Sequence, residues 1–551
     1  MGFRVPRTVS INKLPSLPPQ VEQLYKNAVD KDHNGTIDLY FEYLPFEREN
    51  KFQIDPGMMG PLRNAFFGTS LEGGYLYSAR IGDDDDPTSY LHFSFPDRFE
   101  RQLITLLGDE TYSSETRSID QELEGHFLEM ITHLRALVER NTYSYNPDGA
   151  IDNGTNAPEQ GVNNTAAYIK KTFLDPLGFE VQTLEPTQHP VNAYCGRDGK
   201  INPIEERIGN HLLARRKGRP GAVPIALVGH LDTVYEFIPV RKGGWIRMEP
   251  AVDNLSVQRY TGPGIADMKG GLIIMLFTLF SMARLGLLDE FDITLLLNSD
   301  EEIGSPDSKK HLEEIAKNQS ACFVFERSAG DHMTLSREGI GHARVLVQGI
   351  GTASTNLDRG VNARLEAASQ DLDLWKLYQT KLKGQSIKLN VGPGGGGTLR
   401  NIVPACSWDD IEFRYPDETD EAKIREDISK ILSKPRFKSD DGETAETKWT
   451  LTFHRPPKKE TPETRRLFEL YVTQARRFDP TFQEGKEPGN ADGSLLQRGG
   501  CPTLDSVGAK GGEVHTPDKR LEYIETASLL RQAEVLAGTL RELRKRETTP
   551  K

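Results

Sequence analysis

The chain has 551 residues, with 68 Lys and Arg against 81 Asp and Glu, a formal net charge of −13 and an isoelectric point near 5.6. That length exceeds what one hydrophobic core serves and predicts about three domains. The acidic balance excludes a nucleic-acid partner, because gripping backbone phosphates needs a basic surface. The opening MGFRVPRTVSINKLPSLPPQ lacks the apolar core of a signal peptide, and Pro6 spoils a myristoylation pattern. The longest apolar stretch, Leu272 to Phe280, is too short to span a bilayer. A cytoplasmic protein without a membrane partner is expected.

Residues 1–120 carry proline-rich ends, the acidic run Asp83–Asp86 and two short aromatic strands, YLYSARI and SYLHFSF. They read as a small α+β appendage. Within them DKDHNGTID follows the helical segment VEQLYKNAV and fits the first half of a calcium loop through Asp30, Asp32 and Asn34. The twelfth position is Phe41 instead of a bidentate Glu, so an Asx-rich turn is favoured over a weak calcium site.

From Gln121 the segment FLEMITHLRALVER repeats apolar residues at helical spacing, Phe127, Met130, Ile131, Leu134 and Leu137. Strands and helices then alternate up to Gly330, the pattern of a mainly parallel sheet flanked by helices. Further on, HRPPKKETPE reads as a hinge before two amphipathic helices, ETRRLFELYVTQARRF and ETASLLRQAEVLAGTLRELRK. Cys195, Cys322, Cys406 and Cys501 lie far apart with no CxxC pair, so neither a disulfide framework nor a zinc knuckle is expected. Cys322 reads as a small core residue.

Five metal-ligating side chains stand where apolar segments end. In PIALVGHLDTV a β-type run stops at His230, and strand alternation puts Asp232 on the same face, where its carboxylate can orient the imidazole. In TGPGIADMKGGLIIMLFTLFSMA a glycine turn presents Asp267 ahead of a buried helix. FDITLLLNSDEEIGS ends a buried strand in Asp300, Glu301 and Glu302, a cluster whose mutual repulsion calls for cations. SACFVFERSAGD places Glu326 past a β-rich run, and GGEVHTPDKRLEY places His515 in a loop before the last helix. Each residue alone has an ordinary structural explanation, but together the five divide between two ions. If Asp267 bridges, His230 and Glu326 complete one site and Glu302 and His515 the other. Three protein ligands and a shared water per ion is the open geometry of catalytic zinc. Glu301, adjacent to a ligand and not needed as one, is then the natural general base.

The blocks GHLDTV, GPGIADMKGG, NSDEEIGS and FERSAGD resemble, in order and spacing, the dinuclear zinc amidohydrolases that include glutamate carboxypeptidases, aminoacylases, acetylornithine deacetylases and succinyl-diaminopimelate desuccinylases. FERSAGDHMTLSREGIG is most similar to the glutamate carboxypeptidase branch. The resemblance runs from about Leu123 onward and leaves 1–120 unexplained. It implies a catalytic domain in two parts, 121–336 and 457–551, interrupted by an α+β lid at 337–456 through which such enzymes dimerise. It implies two zinc ions on the five ligands, with cobalt or manganese as alternatives. By the same resemblance Arg414, in DIEFRYPDE, clamps a substrate carboxylate, the alternative being a surface strand arginine. Asn401, in GGGGTLRNIVPA, polarises the scissile carbonyl, the alternative being a turn residue.

One departure stands out. Where the family has a lid histidine in a segment like ASHAG, this chain has GIGTASTNLDRGVNA with Thr355, leaving His342 and His454 as unplaced substitutes. The expected activity is zinc-dependent hydrolysis of the amide bond of a small peptide or N-acyl amino acid bearing a free carboxylate. The rivals are an aminoacylase or deacetylase reaction, a catalytically impaired binding relative, and an interaction protein acting through its N-terminal appendage.

Overall fold

The computed structural model describes residues 6–10, 36–40, 74–80, 90–96, 114–148, 150–151, 155–156, 160–196, 198–235, 248–252, 258–486, 489–516, 518 and 521–548. The segment carrying Asp30, Asp32 and Asn34 and the run Asp83–Asp86 lie outside them. The two aromatic runs are strands, and Pro6–Ser10, Thr36–Tyr40, Gly74–Arg80 and Tyr90–Pro96 form an antiparallel sheet in chain order. In the helix Phe127–Val138 all five residues picked out by their spacing are buried.

The central sheet contains Glu180–Leu184 (β1), His211–Arg216 (β2), Val223–His230 (β3), Phe291–Asn298 (β4) and Ala321–Val324 (β5), closed by the short strand Thr503–Asp505. Their order across the sheet is Thr503–Asp505, β5, β3, β4, β2, β1. Pairing is parallel from Thr503–Asp505 through β4 and antiparallel at β2 and β1. The parallel centre follows from the alternation of strands and helices. The antiparallel margin escapes that reading because β1 and β2 are joined through a hairpin, Val191–Cys195 with Ile201–Glu205, and not a helix. Strands covered on both faces are apolar at nearly every position, which is why β3 reads as a continuous run.

Helix Gly270–Arg284 (α1) fills the core beside β3 and β5. A Cβ on Gly271 would fall 1.9 Å from the Phe325 carbonyl oxygen, so only glycine lets the first turn approach the chain next to Glu326. With the turn preceding it, Ile265–Arg284 is long and apolar enough to cross a membrane, but 89% of its apolar window is buried inside the fold. It is the core helix.

Between the two parts of this unit lies a second sheet, made of Gly339–Gln348 (β6), Lys388–Gly396 (β7), Cys406–Tyr415 (β8) and Glu446–Arg455 (β9), in the antiparallel order β7-β8-β6-β9. Helices Ala363–Thr380 (α2) and Asp420–Leu432 (α3) share a separate core with it, including Val345, Val347, Leu374, Phe413 and Ile428. Burial alternates residue by residue along β6, as expected for a sheet covered on one face.

The chain enters and leaves this inserted unit side by side, with Arg337 and Lys458 exchanging backbone hydrogen bonds of 2.9 and 3.0 Å. Asp505 clamps both crossings. It accepts from Arg337 Nε and Nη2 at 3.1 Å each and from Lys458 Nζ at 3.1 Å. Burial opposes its charge, yet the two cations outweigh burial and hold the carboxyl down to about 2.

The cysteines correct the expectation that they form no disulfide framework: they pair as Cys195–Cys406 and Cys322–Cys501, with Cα separations of 5.8 and 6.1 Å. The partners stand 211 and 179 residues apart, so sequence spacing carries no trace of them. Cys322 is nonetheless a fully buried core residue, as expected. The first pair ties the hairpin to β8, and Arg344 reinforces the joint by stacking its guanidinium 4.2 Å over Trp408 and 4.8 Å over Tyr194.

Breaking the Asp505 clamp leaves Lys458 buried without its counter-charge. Asp505→Ala should cost about 3–5 kcal/mol in urea denaturation, and a loss below about 1 kcal/mol would refute the clamp. Because the folded carboxyl lies below its ordinary 3.8, the stability it contributes is complete above that value and lost as pH falls towards about 2.

Candidate metal centre

Three of the five expected ligands leave the C-terminal ends of adjacent strands. His230 ends β3, Glu302 follows β4, and Glu326 lies two residues past β5. Parallel strands that stop in register deliver their next side chains to one crevice. Asp267 enters from the turn ahead of α1, with extended φ and ψ of −122° and 91°. His515 comes from the loop after Gly511–Gly512 and holds a left-handed φ of 58°, a region open to few side chains other than glycine.

The five converge. His230 Nε2 lies 3.0 Å from Asp267 Oδ1 and 3.8 Å from Glu326 Oε1. His515 Nε2 lies 3.1 Å from Asp267 Oδ2 and 3.1 Å from Glu302 Oε2. The two Asp267 oxygens therefore face different histidines, and each histidine is paired with the further carboxylate expected of it. Glu326 Oε1 is buried without a hydrogen-bond partner, an orphan that a cation would satisfy. Imidazole nitrogens with carboxylate oxygens form a donor set that suits zinc, cobalt or manganese. The residues fit a two-ion centre.

Electrostatics supports the fit. Burial and then the neighbouring Asp267 and Glu301 carboxylates push Glu326 well up. Hydrogen bonds to Asp267 and Glu302 raise His515 to about 11. His230 is raised as well, since Asp267, Glu326 and Glu301 overcome the burial that opposes its charge. The same carboxylates that raise both imidazoles would be balanced by the charge of bound cations.

Asp232 lies against His230 through two of its groups. The Nδ1 of His230 meets the Asp232 backbone carbonyl at 2.9 Å, while the carboxylate stands 3.6 Å off. That carboxylate instead accepts from Ser144 Oγ at 2.8 Å and from the backbone N–H groups of Glu301 and Glu302 at 3.2 Å each. It fixes the turn carrying Glu301 and Glu302. The carboxylate still lies within ion-pair distance of the imidazole, so its charge and its backbone carbonyl both face the same ring nitrogen.

Glu301 has no share in the histidine pairs, although its carboxylate lies within 4.8 Å of the ligand atoms of His230 and Glu326. Arg455, at the end of β9, donates from Nη2 to Glu301 Oε1 at 2.6 Å and to the Glu301 carbonyl at 2.7 Å. Burial pushes the Glu301 carboxyl up to about 8, with Arg455 and His230 pulling the other way. Sequence reasoning missed Arg455, whose only signal is an arginine beside the PP of the hinge.

A cavity of about 480 Å³ opens over the centre between the two units. The inserted sheet contributes Ile340, His342, Glu412, Arg414 and His454 to its wall. Arg414 lines this cavity, with Nε donating to Glu412 at 2.9 Å. His342 and His454 stack at a centroid distance of 4.0 Å, and burial lowers both imidazoles below their ordinary value.

Residues 226–542 match the sequence pattern of Peptidase family M20/M25/M40. The chain belongs to this family. M20 enzymes are metal-dependent, and the protein is a hydrolytic metallopeptidase of that class. It is 27% identical over 340 residues to carboxypeptidase G2 of Pseudomonas sp. (strain RS-16), covering 61% of this chain and 77% of that one. It is 24% identical over 385 residues to succinyl-diaminopimelate desuccinylase of Delftia acidovorans, covering 67% and 93%. The dipeptidase Dug1p of Saccharomyces cerevisiae shares the fold with a TM-score of 0.59 at 13% identity, covering 80% of this chain and all of that one. An M20 metallo-carboxypeptidase of Sulfolobus solfataricus does so at 0.55 and 17%, covering 76% and 99%.

Two positions of this M20 chain stay outside the cavity. Asn401 is exposed on a turn that accepts the Ser354 N–H at 3.0 Å, and Thr355 is exposed beside it. Within one chain, neither reaches the centre.

The ligand geometry predicts metal content variant by variant. Asp267→Ala should lose both ions, while Glu326→Ala and Glu302→Ala should each lose one. Elemental analysis of the dialysed proteins reads this directly, and two tightly held ions in Asp267→Ala would remove the bridge.

Proposed function

We propose that the protein hydrolyses the amide bond of a small peptide or N-acyl amino acid with a free carboxylate, in the manner of a glutamate carboxypeptidase. The observation that carries this reading is a buried carboxylate, Glu301, left free of the paired ligand set yet within reach of it, in a cavity that also presents Arg414. Bound ions supply Lewis acidity, acidifying water and drawing electron density from the scissile carbonyl. Glu301 takes the water proton and returns it to the departing nitrogen. Arg455 holds the Glu301 carboxylate in place, and Asp232 fixes the backbone of the same turn. Arg414 receives the substrate carboxylate, for which its present partner Glu412 is the stand-in.

The likeness to a desuccinylase favours one second reading, an acyl amidohydrolase reaction at the same centre. A panel of dipeptides and N-acyl amino acids, with and without chelator, separates the two and also exposes an impaired relative. We further propose zinc as the metal and a homodimer through the inserted lid. The exposed apolar residues Leu357 and Leu399, 60% and 63% accessible, flank Asn401 and Thr355 and support a second copy there.

Glu301→Gln should lower kcat by at least about 10²-fold with both ions retained, and undiminished turnover would remove it as the base. Arg414→Ala should raise KM about 10–100-fold for carboxylate-bearing substrates and leave their amidated analogues unaffected. Leu399→Glu should shift sedimentation from dimer to monomer, and a monomeric parent protein would refute the dimer.

A further inference from the structure

Glu522 lies outside the five-ligand set, yet it is fully buried beneath it. Its Oε1 accepts the backbone N–H groups of Ala266 and Asp267 at 2.8 and 3.0 Å, and its Oε2 accepts that of Gly264 at 2.9 Å. One carboxylate therefore grips three peptide groups of the loop that presents the bridging residue. The Glu522 carbonyl adds a fourth hold on the same loop, accepting from Gly262 N–H at 3.0 Å.

The same residue belongs to the other histidine's segment. Glu522 immediately precedes Tyr523–Glu525, the strand that closes the loop from His515 by pairing with Gly511–Gly512 on one side and with Gln258–Thr261 on the other. The loops of Asp267 and His515 are thus fastened to each other at Glu522. Tyr235, buried at 6% exposure, faces the Glu522 carboxylate and the His515 backbone from β3's side of the centre.

We infer that Glu522 is the positioning residue of the metal centre, fixing the bridging carboxylate of Asp267 against His515 so that both ions are held, a role that rests on the two-metal reading. Three N–H donors converging on one carboxylate make a rigid, charge-assisted clamp. A loop held this way keeps both Asp267 oxygens directed at their separate histidines. Partners that orient metal ligands commonly govern affinity by about 10–100-fold.

The test compares the full chain with Glu522→Gln, Glu522→Asp and Glu534→Gln. Glu534 is another buried acid, on the C-terminal helix and away from the centre, and serves as a control for burial alone. Zinc affinity is measured by competition with a chromophoric chelator, stoichiometry by elemental analysis, and apo-protein stability by thermal melting. Glu522→Gln should bind zinc about 10–100-fold more weakly, Glu522→Asp should recover part of that loss, and Glu534→Gln should keep the parent affinity even where its melting point falls. Two ions bound at parent affinity by Glu522→Gln would overturn the inference while leaving the metal centre intact. An equal loss of affinity in Glu534→Gln would overturn it too, by making the effect one of stability. A parent chain that binds no zinc, cobalt or manganese would instead remove the two-metal reading itself.

Discussion

One carboxylate shared between two imidazoles organises this molecule. Asp267 directs each of its oxygens at a different histidine, and each histidine in turn meets a second carboxylate. Three ligand carboxylates and Glu301 crowded into a largely buried crevice repel one another, and such an arrangement persists only where positive charge is supplied to it. The requirement for cations is thus written into the electrostatics of the fold. The orphaned oxygen of Glu326 marks the same need from the hydrogen-bonding side.

The chemistry also depends on a part of the chain that supplies no ligand. Arg455 reaches Glu301 from the last strand of the inserted sheet, across 154 residues of sequence. Glu301 and Arg455 therefore meet only when the two units pack against each other. Asp505 secures the two chain crossings, while the hairpin at Val191–Glu205 bolts the outer sheet through Cys195–Cys406 and the Arg344 stack. The cavity wall bearing Arg414, His342 and His454 belongs to that sheet. Solved relatives keep this architecture at 13–17% identity, as expected when strand ends and buried patterning, more than individual side chains, define a fold.

Much of the centre is legible in the sequence. His230, Glu302 and Glu326 sit where uninterrupted apolar runs stop, and a run that ends in a ligand-type residue announces the end of a parallel strand. Asp267 was legible for a different reason, a glycine turn ahead of an apolar helix, with Gly271 required by the close approach to Phe325. Strand alternation brings Asp232 to His230, but only the folded chain shows that the backbone carbonyl takes the hydrogen bond at 2.9 Å with the carboxylate 3.6 Å away. Asn401 and Thr355 were placed from the resemblance, and the single chain leaves both exposed.

The sequence by itself determined the apolar periodicities, the ligand types at their ends and the glycines that allow close approach, because these depend on neighbours a few residues apart. Only the tertiary structure decided the cysteine partners, the antiparallel margin of the sheet, and the contacts of Arg455 with Glu301 and of Glu522 with the Asp267 loop. Those depend on which distant segments share a surface. A side chain's local context carries its chemistry but not its partner, since the partner is chosen by packing that brings together residues 150 to 260 positions apart.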